Sequence, residues 1–263
     1  MNKMPIELIR GEIEIPEYFH KIWESASRLV PDHPLWDDEF AVTLRDPDRN
    51  LNLSYALVEQ WAKQMFHGSS AFPRYVGNLV GRVKNHSAGR MLAINAAVER
   101  GYPDESRSHF LLAVDLLNAM GYSNEEIAAI PVEGYSEIYI DGHLDYTRDS
   151  SLASAVGCLG IGIETLTTEE FTMLGGAFIR TAPPVKNMPL GEVYQSQGYF
   201  TENIMADAEH KTEFEKIAFL LWKSGEIHQD LEVCSREIEN GAKFSLDSRR
   251  EFFEGIYADV TGA

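Results

Sequence analysis

The feature that most constrains this chain is the spacing of its apolar residues. They recur at intervals of three and four almost throughout, and no convincing two-residue alternation interrupts them; Glu137-Ile138-Tyr139-Ile140 is the weak exception. A helix shows that period when it buries one stripe of its surface, so the pattern predicts an all-α fold. Stripes are legible in 17–29 (Phe19, Ile22, Trp23, Leu29), 53–68 (Leu57, Val58, Trp61, Met65, Phe66), 87–99 (Met91, Leu92, Ile94, Val98) and 105–120 (Phe110, Leu111, Val114, Leu117). Phe72-Pro73 is expected to open a separate helix, because proline suits a first turn. Ser123-Asn124-Glu125-Glu126 has the form of a capping box. Residues 150–164 are small and apolar, with Ser and Gly interleaved, as in a helix that neighbours approach closely. Residues 226–239 and 246–260 read as two closing helices. The Pro-rich stretch 179–195 reads as a long loop, a kind that often lies beside a functional opening. The expected architecture is one helical-bundle domain over 1–263, with residues 1–16 as an N-terminal extension.

Composition narrows the function classes. The formal charge is −18, from 23 basic and 41 acidic residues. Nucleic acid and anionic membranes are bound through Lys and Arg, so neither is an expected partner. Two cysteines, Cys158 and Cys234, make no disulfide framework and point to a reducing compartment. The N-terminus lacks the apolar core of a signal peptide, and no apolar run reaches membrane-spanning length. A cytoplasmic protein is expected.

Three places carry candidate chemistry. Glu99 and His109 flank the Gly101-Tyr102-Pro103 break, where two helix ends could bring them together. Glu164 is a carboxylate on an otherwise small and apolar helix, costly there unless paired or metal-bound. Asp207 and His210, at i and i+3, share a helix face. Carboxylates and imidazoles projected inward from separate helices are how helical proteins hold non-haem iron or manganese. Taken singly, each has an ordinary reading: a solvated pair for Asp207 and His210, a cap-region residue for His109, surface carboxylates for Glu99 and Glu164. Gln64 and His67, three apart on an apolar helix, could line a pocket. His20, His33, His86, His143 and His228 sit among polar residues and are expected at the surface. Cys158 reads as a small core residue. Gly157-x-x-Gly160-x-Gly162 reads as packing rather than phosphate binding, and no P-loop, C-x-x-C or H-E-x-x-H is present.

Taken in order, Ala71-Phe72-Pro73-Arg74-Tyr75, Glu99-Arg100-Gly101-Tyr102-Pro103 and the run from Tyr199 to His210 resemble the haem-oxygenase-like diiron oxidases. The resemblance covers roughly 53–222 and is nearest to the chlamydial protein associating with death domains; TenA-like and PqqC-like proteins share the fold. It implies a ligand set of Glu99 (with Val98 as the rival register), His109, Glu164, Asp207 and His210. The family's last motif is His-x-x-x-Asp-x-x-His, and its first histidine falls here on Asn203, a neutral and weaker ligand. The implied activity is dioxygen activation at two iron ions, or one if Asn203 disables a site. The implied substrate is a small metabolite (an amine, amino acid or fatty acid) modified in biosynthesis, and a homodimer is implied as well. The alternatives are a metal-free TenA-like or PqqC-like enzyme, with Cys158 as the one available nucleophile, and a non-enzymatic interaction protein.

Overall fold

The computed structural model describes residues 13–263, with the side chains of residues 107 and 206–209 outside that description. Most of the expected N-terminal extension, residues 1–12, is likewise outside it. Among the described residues there is no strand. The helices are α1 (Glu17–Ser27), α2 (Glu39–Arg45), α3 (Leu51–Arg82), α4 (His86–Glu99), α5 (His109–Ala119), α6 (Asn124–Ala128), α7 (Gly134–Asp149), α8 (Leu152–Gly157), α9 (Glu164–Lys186), α10 (Leu190–Gln195), α11 (Gly198–Ser224) and α12 (Leu231–Thr261). They form a single helical domain. The long helices α3, α9, α11 and α12 supply its frame, and α4, α5, α7 and α8 pack against them. No described helix is long and apolar enough to cross a membrane.

Several helices run further than punctuation in the sequence suggests. Pro73 lies inside α3 instead of opening a new helix. Proline forfeits one backbone hydrogen bond, but the buried stripe Trp61, Met65, Tyr75, Val76 and Leu79 continues through it and holds the helix together. Pro183 and Pro184 fall in the last turns of α9, so the expected loop 179–195 shrinks to the short link before α10. Left-handed Asn187 (φ 54°) ends α9. The two closing helices are one, α12, because Cys234, Ile238, Ala242, Leu246, Arg249, Phe253 and Ile256 make an unbroken buried stripe. Phe252, Phe253 and Ile256 of α12 are covered by the chain itself. Glu137–Ile140, the one strand-like stretch, lies within α7. The capping box at Ser123 and Glu126 forms as its sequence predicts.

Two backbone features set the positions of Glu99, His109 and Glu164. Gly101 adopts φ 88°, and a Cβ there would lie 2.8 Å from the Glu105 backbone. The chain can therefore reverse tightly between Glu99, the last residue of α4, and His109, the first of α5. Between α8 and α9, Cys158–Ile163 forms a π-helical stretch. There the Thr165 hydroxyl donates to the Gly160 carbonyl at 3.1 Å. A side chain at Gly160 would collide with Phe214 of α11, and one at Gly162 with Ser245 of α12. The small residues thus let α11 and α12 close on the turn that precedes Glu164, and π-turns of this kind recur at functional sites.

Candidate metal centre

Glu99 ends α4, His109 begins α5, Glu164 begins α9, and His210 sits within α11. All four are buried. His109 caps nothing itself; the Ser108 hydroxyl accepts from the Leu111 amide at 3.3 Å and fixes the first turn of α5. His109 Nδ1 lies 2.6 Å from Glu99 Oε2, a charge-assisted hydrogen bond. His210 Nδ1 lies 3.4 Å from Glu99 Oε1 and 3.4 Å from Glu164 Oε2. At those distances it is close to both carboxylates, but it is not aligned as a hydrogen bond with either, so His210 Nδ1 and Glu99 Oε1 are left without partners, as is Glu164 Oε1.

Ligand-capable atoms of Glu99, Glu164 and His210 all lie within 4.8 Å of one another. Buried polar atoms are nearly always hydrogen-bonded. Three residues from three helices that instead turn such atoms toward a common point form a cradle for a cation. The donor set, two carboxylates and an imidazole, suits a divalent first-row metal.

Electrostatics bind the cluster together. Burial disfavours ionisation of Glu99 and His109, but their pairing outweighs it, holding the carboxyl below and the imidazole above its ordinary value. For His210, burial again works against the charge, and Glu164, then Glu99 and Glu213, overcome it and raise the pKa to about 9. Glu99 and Glu164 thus face two imidazoles whose basicity the neighbouring carboxylates raise.

The remaining expected site residues fall differently. The Asp207 side chain lies outside the described residues. Asn203 is buried on the wall of the cavity beside the cluster, and its Nδ2 donates to the Tyr199 carbonyl at 2.5 Å, leaving only its oxygen for other use. Gln64 and His67 are not among the cavity's lining residues. Gln64 instead ties down the segment before α7, donating to the Pro131 carbonyl and accepting from the Glu133 amide. Cys158 is fully buried within the π-turn, off the cavity wall, and burial pushes its thiol up. His143, expected at the surface, is fully buried. Its Nδ1 donates to the Tyr139 carbonyl at 2.8 Å and its Nε2 accepts from Ser245 at 3.0 Å.

The cavity, about 50 Å³ in volume, is lined by Glu99, His109, Glu164 and Asn203 together with Met65, Phe72, Ile163 and Phe171. Its wall also holds residues that sequence reasoning missed: Arg249, Tyr75 and Tyr139. Arg249 lies on the buried stripe of α12, three or four residues from Leu246 and Phe253, and that register was the signal that could have found it.

Comparison with known proteins agrees with this geometry. The model of a family described as iron-containing redox enzymes matches residues 59–235. The chain belongs to that family. The matched span contains Glu99, His109, Glu164, Asn203, Asp207 and His210, and stops short of Arg249. No curated protein sequence matches. Among solved structures, a CADD-like protein of unknown function from Nostoc punctiforme PCC 73102 superposes with a TM-score of 0.68 at 13% identity, covering 93% of this chain and 99% of that one. A TenA homolog from Pseudomonas syringae pv. tomato DC3000 gives 0.62 at 16% identity, covering 92% and 93%. A domain of unknown function with a heme oxygenase-like fold from Shewanella denitrificans OS217 gives 0.60 at 13%, covering 95% of each. At these identities the structures establish the haem-oxygenase-like fold alone.

Proposed function

We propose that this family member is a non-haem iron oxidase or oxygenase that uses dioxygen to modify a small metabolite held in the cavity. The observation that carries the reading is the convergence of Glu99, Glu164 and His210, three buried residues with unsatisfied ligand atoms within 4.8 Å. Family membership supplies the metal, iron. Glu99, Glu164 and His210 would hold the first ion, and His109 either joins them or orients Glu99 through its hydrogen bond. Asn203 offers a neutral oxygen to a second, weaker position. The chemistry a bound ferrous ion supplies is the reduction of dioxygen.

The chain's own part is threefold. Glu99 and Glu164, both buried, would neutralise the cation. Met65, Phe72, Ile163 and Phe171 keep the reaction volume apolar. His109 keeps a proton at Nδ1, 2.6 Å from a carboxylate, where it can be passed to a reduced product. The metal-free hydrolase reading loses its nucleophile, since Cys158 is not on the cavity wall.

Anaerobic titration of the metal-free chain with ferrous iron, followed by an oxygen pulse, tests this. The expected result is at least one iron per chain and oxygen uptake, with Glu164→Gln weakening iron by more than about tenfold. A folded chain that takes up no iron overturns the proposal.

A further inference from the structure

The cavity that holds the metal cluster carries a second ionic group. Arg249 is 2% exposed and lines the cavity with Tyr75 and Tyr139. Its Nη1 donates to Glu170 Oε1 at 3.1 Å, and its Nη2 donates to the Tyr139 hydroxyl at 2.6 Å. Glu170 Oε1 also accepts from Trp61 Nε1 at 2.7 Å, which fixes the counter-charge in place, while its Oε2 is buried without a partner. The Arg249 Nε–H, in contrast, is buried and finds no acceptor, and the buried Tyr75 hydroxyl has no partner either. Burial pushes the Tyr75 phenol well up, so it remains an O–H donor.

A buried ion pair is weak evidence for stability, because desolvation offsets the attraction. On a cavity wall, with two donors unmet, it calls for a reason. The group that would satisfy both donors must carry at least two acceptor lone pairs. A carboxylate does this: it has about four lone-pair sites, and its charge strengthens a hydrogen bond from the Arg249 Nε–H. An ammonium group would bring three more donors and a second positive charge beside Arg249. An alcohol could accept from both, but as a neutral group it accepts more weakly than a carboxylate.

We propose that Arg249, with the Tyr75 hydroxyl, is the subsite for the carboxylate of the substrate, and that the substrate is therefore a small organic acid and not a simple amine. Oxidation at the metal cluster rests on the iron-oxidase reading above; the anion subsite itself does not. Glu170, which anchors Arg249, follows Glu164 by six residues on α9, about 9 Å along the helix axis. An acid held by its head at Arg249 would lie along Met65, Phe72 and Phe171 with its far end toward Glu164.

Calorimetric titration of hexanoate, hexylamine and 1-hexanol into the metal-free full chain reads the subsite without iron or oxygen. Hexanoate is expected to bind at least about tenfold tighter than the other two, and to lose about tenfold in Arg249→Lys and severalfold in Tyr75→Phe while 1-hexanol is unchanged. Hexanoate binding no tighter than 1-hexanol, or equally tight in both variants, overturns the proposal. Should Arg249→Lys not fold, as judged by circular dichroism, Tyr75→Phe decides alone, since it removes one oxygen and keeps the ring. Hexanoate that binds only after ferrous iron is added, and equally to Arg249→Lys, assigns the carboxylate to the metal and also overturns it. Iron titration of the same proteins separates the two readings. A chain that takes hexanoate through Arg249 but no iron keeps the subsite and loses the oxidase. A chain that takes iron but ignores hexanoate does the reverse.

Discussion

Two buried clusters, each pairing carboxylates with nitrogen-bearing side chains, put members on the cavity wall. At Glu99, Glu164 and His210, the atoms that face one another are the ones left unbonded. At Glu170 and Arg249, the facing atoms are committed: Glu170 Oε1 accepts from both Trp61 and Arg249, and Arg249 Nη2 donates to Tyr139. The first arrangement is open at its centre and closed by what it binds. The second is closed at its centre and open at its edge, through the Arg249 Nε–H and Glu170 Oε2. Charge of both signs is buried in each, so burial alone does not distinguish a metal cradle from a structural or substrate-facing pair. The direction in which unsatisfied atoms point does.

The largest effect that separates the clusters is expected from Glu170→Gln. It leaves the Arg249 guanidinium buried without its counter-ion, and losing one partner of a buried pair costs about 3–5 kcal/mol. Urea unfolding of the metal-free variant measures this, and ferrous titration of the surviving folded protein should give the wild-type stoichiometry. If Glu170→Gln instead abolished iron uptake at unchanged stability, the division between the two clusters would be wrong.

His143 sharpens the comparison from the neutral side. Both its nitrogens are used, and burial lowers its pKa to about 3. The folded state thus refuses a proton that the unfolded chain accepts below about 6.5. Stability from this group is fully present above that value and is lost as pH falls toward 3, by about 1.4 kcal/mol per unit. At pH 5 the loss is about 2 kcal/mol relative to neutral pH. His143→Gln should flatten that part of the stability profile, whatever its effect at pH 7. An unchanged slope would place the proton elsewhere.

Apolar spacing sufficed for the helical class, because a 3.6-residue stripe has few other solutions. It misjudged continuity. Pro73 and the pair Pro183-Pro184 look like breaks, yet packing on both sides outweighs the lost backbone bonds. The approach of Glu99, His109 and Glu164 was legible in local anomalies, a glycine break for the first two and an apolar helix for the third, whereas His210 stood on an acidic helix that reads as solvated and was singled out by the family resemblance. Arg249, Glu170 and His143 lacked such a mark. They stand among charged or polar neighbours in sequence, and only their register shows that they belong to buried stripes, as with Glu170 between Leu166, Phe171 and Leu174. Charge in a sequence suggests solvent, while register on a helix reports burial; where the two disagree, the residue is a candidate member of a site.

The smallest expected effect concerns how the open cluster is held in place. Ser108 caps α5 immediately before His109, and Ser123 caps α6 through a capping box that involves none of the metal-cluster residues. Replacing either by alanine should cost about 1 kcal/mol of stability, since each removes one acceptor from a helix N-terminus. Their effects on iron should differ. Ser108→Ala loosens the turn that aims His109 at Glu99, and a residue that orients a ligand is typically worth about tenfold or more in metal affinity. Ser123→Ala should leave the affinity as it was. Paired ferrous titrations of the two variants isolate the contribution of position from that of stability. Equal affinities in both would mean that Glu99 reaches the metal without help from His109, and that the 2.6 Å hydrogen bond between them serves the fold alone.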